Sequence, residues 1–218
     1  MADKQRKAHR RGLPVWSHFL IAILLVAVVQ GFVVKVYRVP SGSMEQTLSV
    51  GQMILVNRTA GTPERGDVWV FNASEQWLGA PRPTVDGPKS ALKWAAGVLG
   101  YGPGLDHALV KRVIGVPGDK VSCCDLEGRL TVNDEPLTEP YIYDDVPFVA
   151  GVEDCTTEPR SRRCFAPITV PDDRFLMLGD HRGDSSDSVS KCRREDAASD
   201  CARFATADGL VGPVIGVS

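Results

Sequence analysis

The chain carries no strong charge of either sign, few histidines and no repeated unit, and each shortage removes a class of function. Lys and Arg number 25 against 27 Asp and Glu, a formal net charge of −2. No basic surface is therefore expected to hold nucleic acid. The four histidines include no pair at ligand spacing, and the six cysteines form no C-x-x-C knuckle, so a zinc site is not expected. Asp180, Asp184 and Asp187 crowd one short segment, but not at the D-x-D-x-D-G spacing of a calcium loop. His181 beside Asp180 suggests a serine–histidine–aspartate triad, yet adjacent residues at a strand end point apart. Ser188-Val-Ser-Lys191 matches the S-x-x-K string of penicillin-recognising enzymes, but neither S-D-N nor K-T-G accompanies it.

What is present begins with one long apolar run. Residues 13–34 are almost uncharged, and at about 1.5 Å per helical residue they reach roughly 33 Å, enough for a hydrocarbon layer of about 30 Å. Trp16 lies near its start, where an interfacial aromatic belongs, and Lys4, Arg6, Lys7, Arg10 and Arg11 precede it. This pattern predicts a cytoplasmic basic tail over 1–12 and a single transmembrane helix over 13–36. The remainder, 37–218, is then an extracytoplasmic domain at the cell membrane, with lipid as a neighbour and no second anchor after the last strand. A cleaved secretory signal peptide is the rival reading, with Val29-Gln30-Gly31 as the cut; the run is longer than a usual apolar core of such a peptide.

Cys123, Cys124, Cys155, Cys164, Cys192 and Cys201 all follow that run, which fits a compartment that permits disulfides. Six cysteines allow fifteen complete pairings. The short separations make Cys155 with Cys164, and Cys192 with Cys201, the economical choices.

Beyond the run the chain reads as many short strands with turn signals: residues 52–57, 68–71, 108–116, 120–123, 129–132, 174–178 and 209–217, the last kinked at Pro213. Little helix is expected, so the domain is mainly antiparallel β. Residues 73–107 break this pattern as a Pro- and Gly-rich insertion, with one short helix over 90–99. Its Trp77 and Trp94 are placed either at the bilayer interface or in ordinary packing. Residues 140–171 and 189–208 are expected to be disulfide-bearing loops.

Two segments carry groups suited to chemistry. Val39-Pro40-Ser41-Gly42-Ser43-Met44 sets two hydroxyls around a glycine directly after the apolar run. It reads as a strained nucleophile turn or as a flexible linker. In the strand 108–116, Leu109, Lys111 and Val113 share one face, and Val110, Arg112 and Ile114 the other. If the face of Lys111 is the inner one, desolvation favours the neutral amine, which can act as a base toward a serine hydroxyl. An edge strand with Lys111 reaching water is the alternative.

Taken in order, the apolar run, Pro40-Ser-Gly-Ser-Met44, Val110-Lys-Arg-Val-Ile-Gly-Val-Pro-Gly-Asp119 and Gly179-Asp-His-Arg-Gly-Asp-Ser-Ser-Asp-Ser188 resemble the bacterial type I signal peptidases. The adjoining Cys123 and Cys124 resemble actinobacterial members. The resemblance implies an anchored, mostly antiparallel β-fold shared with LexA-type self-cleaving repressors, and a serine endopeptidase with a Ser–Lys dyad. It implies no cofactor and no metal. On it, Ser43 is the nucleophile and neutral Lys111 the base, with Ser41 Oγ and the Ser43 N–H as oxyanion hole. Ser185 hydrogen-bonds and orients the lysine, while Asp180, Arg182 and Asp187 brace the loop. Val39, Pro40, Met44, Leu48 and Val110 line shallow pockets that select Ala-x-Ala-type sites in the signal peptides of preproteins, cut beside the secretion translocon. One departure stands out: the family's Arg two residues after Asp187 is Val189 here, which leaves Arg193 or Arg194 to substitute. Two other readings remain: a same-fold protease dedicated to one pilin or surface protein, and an exported binding module that uses neither serine.

Overall fold

The computed structural model describes residues 14–79, 107–194 and 196–218. It opens with helix α1, Val15–Phe32. The chain then extends into β1 (Val34–Arg38), which lies antiparallel to β2 (Met53–Asn57) from the Val34–Asn57 pair to Arg38–Met53. The end of the apolar run is thus strand rather than helix. Val34, Val36 and Tyr37 are residues that fit a pleated surface, and β2 supplies the ladder partners that a longer helix would forgo. This shortens the helix expected over 13–36. Among the described residues, no helix is long and apolar enough to cross a membrane.

The other strands are β3 (Val68–Asn72), β4 (Ala108–Gly115), β5 (Lys120–Cys123), β6 (Leu130–Val132), β7 (Glu135–Pro136), β8 (Phe165–Thr169), β9 (Arg174–Leu178), β10 (Ala205–Thr206) and β11 (Leu210–Val217). They form a seven-stranded sheet of order β1-β2-β11-β3-β4-β9-β10 and a four-stranded sheet of order β7-β6-β5-β8. Every pairing between these described strands is antiparallel. The mainly β reading of the sequence holds. β8 falls in the stretch expected to be loop, because its exposed positions carry few apolar residues to signal a strand. β11 binds β2 on one side and β3 on the other, with register shifts on both sides. Gly212 permits that crossing, since a Cβ there would strike the Asn57 carbonyl.

Among the described residues, three buried clusters fill the domain. Ile114, Leu176 and Leu178 of the large sheet pack against Val121, Val132 and Phe165 of the small one. Trp69, Phe71, Val113 and Met177 pack with Trp77, which belongs to the short helix α2 (Glu75–Leu78). Trp77 is buried, stands edge-on to Phe71 with ring centroids 5.1 Å apart, and donates its indole N–H to Phe204 O at 2.9 Å. It packs into the domain and is not free to meet a bilayer. Trp94 and the helix expected over 90–99 lie outside the described residues. The third cluster joins Val39, Met44 and Leu48 to Ile54, Val56, Val70 and Val110.

The turn after β4 is held by charge. Asp119, 4% exposed, accepts from Arg65 at 2.7 and 2.6 Å, from Val116 N at 2.9 Å and from Asn133 at 2.9 Å. Burial alone would raise its carboxyl pKa, but these donors hold it below the usual range. The cysteine sulfurs lie at bonding distance in three pairs: Cys155 with Cys164, Cys192 with Cys201, and Cys123 with Cys124.

Candidate active site

The serine turn is shaped by its own residues. Ser41 is extended, at φ −145° and ψ 161°, and Gly42–Met44 makes one 3₁₀ turn closed by Glu45 N donating to Gly42 O at 2.9 Å. Met44 is wholly buried in the third cluster, and the amides of Thr47 and Leu48 both donate to its carbonyl, at 3.1 and 2.7 Å. Anchoring Met44 in the core fixes where its neighbour Ser43 stands.

β9 accompanies β4 only as far as the Arg112–Leu178 pair. Gly179 then turns the chain away, and the serine turn lies beside the stretch of β4 that carries Lys111. His181 N donates to Ser43 O at 3.2 Å. Position 179 has to be glycine for this approach, because a Cβ would stand 2.5 Å from that same carbonyl oxygen and collide with Ser185 Oγ.

Lys111 Nζ donates to Ser43 Oγ in a short hydrogen bond. Lys111 is 4% exposed and Ser43 7%. On the same face of β4, Val113 belongs to the second core cluster and half-buried Leu109 packs against it, so the face that carries Lys111 is covered and not open to water. Burial penalises the ammonium and lowers the Lys111 pKa from the ordinary 10.5 to about 8. The carboxylates of Asp187 and Asp180 oppose that shift, and the Arg203 guanidinium adds to it. A buried hydroxyl bonded to an amine that is uncharged in a sizeable fraction of molecules can carry nucleophilic chemistry without histidine or metal. His181 takes no part in that pair; its ring nitrogens lie 3.3 Å from Gly42 O and 3.3 Å from Asp144 Oδ2, behind the turn.

The family model for signal peptidase, peptidase S26, matches residues 13–192. This chain belongs to that family. Signal peptidase I of Mycobacterium tuberculosis is 36% identical over 202 residues, which cover 87% of this chain and 67% of that protein. The probable signal peptidase I of Mycobacterium leprae is 33% identical over 199 residues, 84% of this chain and 66% of the other. A solved signal peptidase I from Enterococcus faecalis V583 is 22% identical and covers 72% of this chain and 99% of its own, with a TM-score of 0.37.

In this peptidase the residues around the Lys111–Ser43 pair are arranged as follows. Asp180, fully buried, receives Arg112 Nε at 2.9 Å and Nη2 at 2.6 Å, and the Thr47 hydroxyl at 2.5 Å. Asp180 therefore ties the loop after β9 to β4 and to the serine turn together. Arg112 also stacks over Tyr141, 3.8 Å from the ring centre. Arg182 is buried, donates Nε to Gly179 O at 3.0 Å and pairs with Glu139. Arg112, Thr47, Tyr141 and Glu139 escaped the sequence reading. The only hint was Arg112 itself, a second cation on the opposite face of the strand from Lys111.

Ser185 differs from expectation. Its Oγ is buried beside the turn but has no hydrogen-bond partner among the described residues, so it is not bonded to Lys111 here. Asp187 is fully buried, with Arg193 Nη2 3.8 Å from Oδ2, whereas Arg194 pairs with exposed Asp196. Val189 fills core space instead of carrying a charge. Of the expected pocket residues, Val39, Met44, Leu48 and Val110 come together in one cluster but are buried in it, while Pro40 is exposed and apart. They form a floor rather than an open cleft, because packing in the third cluster covers their side chains. Ser41 lies exposed at the edge of the turn. The sulfurs of Cys124, Cys155 and Cys164 lie within 4.8 Å of one another, but each is already paired, so they offer no free thiolate to a metal.

Proposed function

We propose that this peptidase is a membrane-anchored serine endopeptidase that removes signal peptides from exported preproteins, with Ser43 as nucleophile and Lys111 as general base. The buried Lys111–Ser43 hydrogen bond is the observation that carries the reading. Neutral Lys111 accepts the Ser43 proton as Oγ attacks the scissile carbonyl carbon. The resulting oxyanion is met by the Ser43 N–H and the Ser41 hydroxyl; losing one such donor costs about 2.7–4 kcal/mol of barrier. As the intermediate collapses, the ammonium of Lys111 returns its proton to the departing amine of the mature protein. Lys111 then draws a proton from water, which hydrolyses the ester on Ser43. With a pKa of about 8, roughly a tenth of Lys111 is neutral at pH 7. An unshifted lysine would offer about three parts in ten thousand, so desolvation multiplies the working base about 300-fold. In this reading Asp180, Arg182 and Asp187 brace the loop, and Ser185 turns toward Lys111 when substrate is bound.

The floor of Val39, Met44, Leu48 and Val110, with Pro40 at its rim, favours small residues before the cut, as in Ala-x-Ala sites. Apolar residues stand exposed along all of α1, Phe19 at 66% and Leu24 at 64% among them, which suits a lipid surround. Its 18 residues rise about 27 Å, slightly less than a hydrocarbon core of about 30 Å, and on this reading local thinning of the bilayer takes up the difference. On this reading the N-terminus, with its basic residues at 4–11, is cytoplasmic, the domain lies outside, and the enzyme acts beside the translocon that delivers its substrate. The test is cleavage of an Ala-x-Ala preprotein in detergent by the wild type, Ser43→Ala and Lys111→Ala. Both variants are expected to be inactive; full activity in either removes the dyad.

A further inference from the structure

Arg203 lies outside the dyad and outside every motif that announced it, yet the chain buries it next to the loop that serves the dyad. It is 6% exposed. Its Nη2 donates to Ser190 Oγ at 2.6 Å, to Asp187 O at 2.8 Å and to Ser186 Oγ at 3.1 Å, and Nη1 donates to Trp77 O at 3.4 Å. The guanidinium sits over the Trp77 ring, 4.8 Å from its centre, and Arg203 N donates to Ser188 O at 3.0 Å. Apart from the Trp77 contacts, these all fall on residues 186–190, the segment that follows Ser185 and contains Asp187. Arg203 thus grips the loop from one side, and Arg193 stands at the Asp187 carboxylate on the other.

The two arginines bracket one disulfide. Arg193 follows Cys192 directly, and Arg203 lies two residues beyond Cys201, whose Cα is 5.1 Å from that of Cys192. Cys192 is itself seated in the first core cluster beside Val189. Between the two cysteines the chain runs through exposed residues such as Arg194 and Asp196. The bridge ties the two ends of that exposed segment, and with them the two arginines, to one distance. Resting on the dyad reading above, in which Ser185 turns toward Lys111 when substrate is bound, we propose that Arg203 is a positioning residue for Ser43 and Lys111, acting through the 185–190 loop whose Ser185 packs beside the Ser43 carbonyl at Gly179, and that the Cys192–Cys201 disulfide holds it in place. Opening that bridge takes two electrons and two protons; a dithiol supplies them, becoming a cyclic disulfide as both cysteines become thiols.

The experiment compares Arg203→Met, Arg203→Lys and the double variant Cys192→Ser/Cys201→Ser with the control Cys155→Ser/Cys164→Ser, all as full-length protein. The two bridges close loops of the same length, a sequence separation of 9 in each, so their loss loosens the unfolded chain equally. For each protein, kcat and KM on one preprotein are measured against pH, with Tm alongside. Arg203→Met and the Cys192/Cys201 pair are expected to lower kcat at least about tenfold with KM nearly unchanged, as displaced catalytic groups do. Their alkaline limb moves to higher pH, because a cation that disfavours the Lys111 ammonium has been withdrawn. Arg203→Lys restores part of kcat, and the Cys155/Cys164 pair loses Tm but keeps the wild-type limb. If Arg203→Met fails to accumulate, the two cysteine pairs decide the matter by the same limb, with Arg203→Lys as the variant that keeps the cation. A limb unmoved in all of them, or moved equally by both cysteine pairs, overturns the proposal. Wild-type protein inert on every preprotein would instead overturn the peptidase reading beneath it.

Discussion

Replacing Lys111 by methionine separates what the site costs the fold from what it gives to chemistry. The side chain is almost fully buried, and its pKa falls from 10.5 in the unfolded chain to about 8 in the folded one. Between those values the unfolded state binds the proton that the folded state has released, so stability rises with pH across that window. Below it the folded protein carries the full penalty, 2.5 units at 1.36 kcal/mol each, or about 3 kcal/mol at pH 7. At pH 10 less than about 1 kcal/mol remains. Methionine has similar length and no charge, but it strands Ser43 Oγ without its donor, a loss of about 1 kcal/mol. Lys111→Met is therefore expected to gain about 2 kcal/mol at pH 7 and nearly nothing at pH 10, while losing all cleavage. Urea unfolding of the full chain in detergent, run at both pH values, reads this directly. A variant destabilised by the same amount at both would refute the reasoning, since the lysine would then carry no desolvation penalty.

Four further outcomes follow from the same geometry. Wild-type kcat/KM should rise about tenfold from pH 7 to pH 9 with a midpoint near 8, and keep that limb when His107 and His181 are replaced; a midpoint near 6.5 would point to histidine. Gly179→Ala should cost about a hundredfold in kcat, because the new methyl must push the Ser43 carbonyl or the loop aside by most of an ångström; wild-type kcat would show that the close approach is unimportant. Asp180→Ala leaves the Arg112 guanidinium, 12% exposed, without its counter-charge and should destabilise by about 3–5 kcal/mol, read as a fall in Tm. Removing residues 1–32 spares β1 and should release the protein into alkaline carbonate extracts while Ser43-dependent cleavage persists in detergent; retention in the membrane pellet would mean that other surfaces anchor the domain.

Much of the β architecture could be read directly from the residues. Val68–Asn72, Ala108–Gly115 and Arg174–Leu178 are rich in β-branched and large apolar side chains, and local pattern suffices where a strand is buried on both faces. β1 was hidden because Val34 still belongs to the apolar run and the helix is expected to reach residue 36, and only the partner strand β2 decides that such residues extend instead of coil. β8 was hidden for the opposite reason, since its exposed positions mask the alternation.

The site divides the same way. Local sequence determined that a glycine-flanked serine turn follows the apolar run, and that one lysine alternates with Leu109 and Val113 on its strand. Whether that lysine faces water or the core is a question about what covers the strand, and periodicity cannot answer it. Tertiary structure decided it by ending β9 at Leu178, so that the serine turn lies against β4 and the Lys111 amine is shut away from solvent beside Ser43. The long-range partners, Asp180 with Arg112 and Thr47, and Arg203 with residues 186–190, lie between 13 and 133 positions apart where a distance in sequence tells nothing of a distance in space. Charge and hydroxyl chemistry belong to the residue; the desolvation that shifts an amine toward its neutral form belongs only to the packed fold.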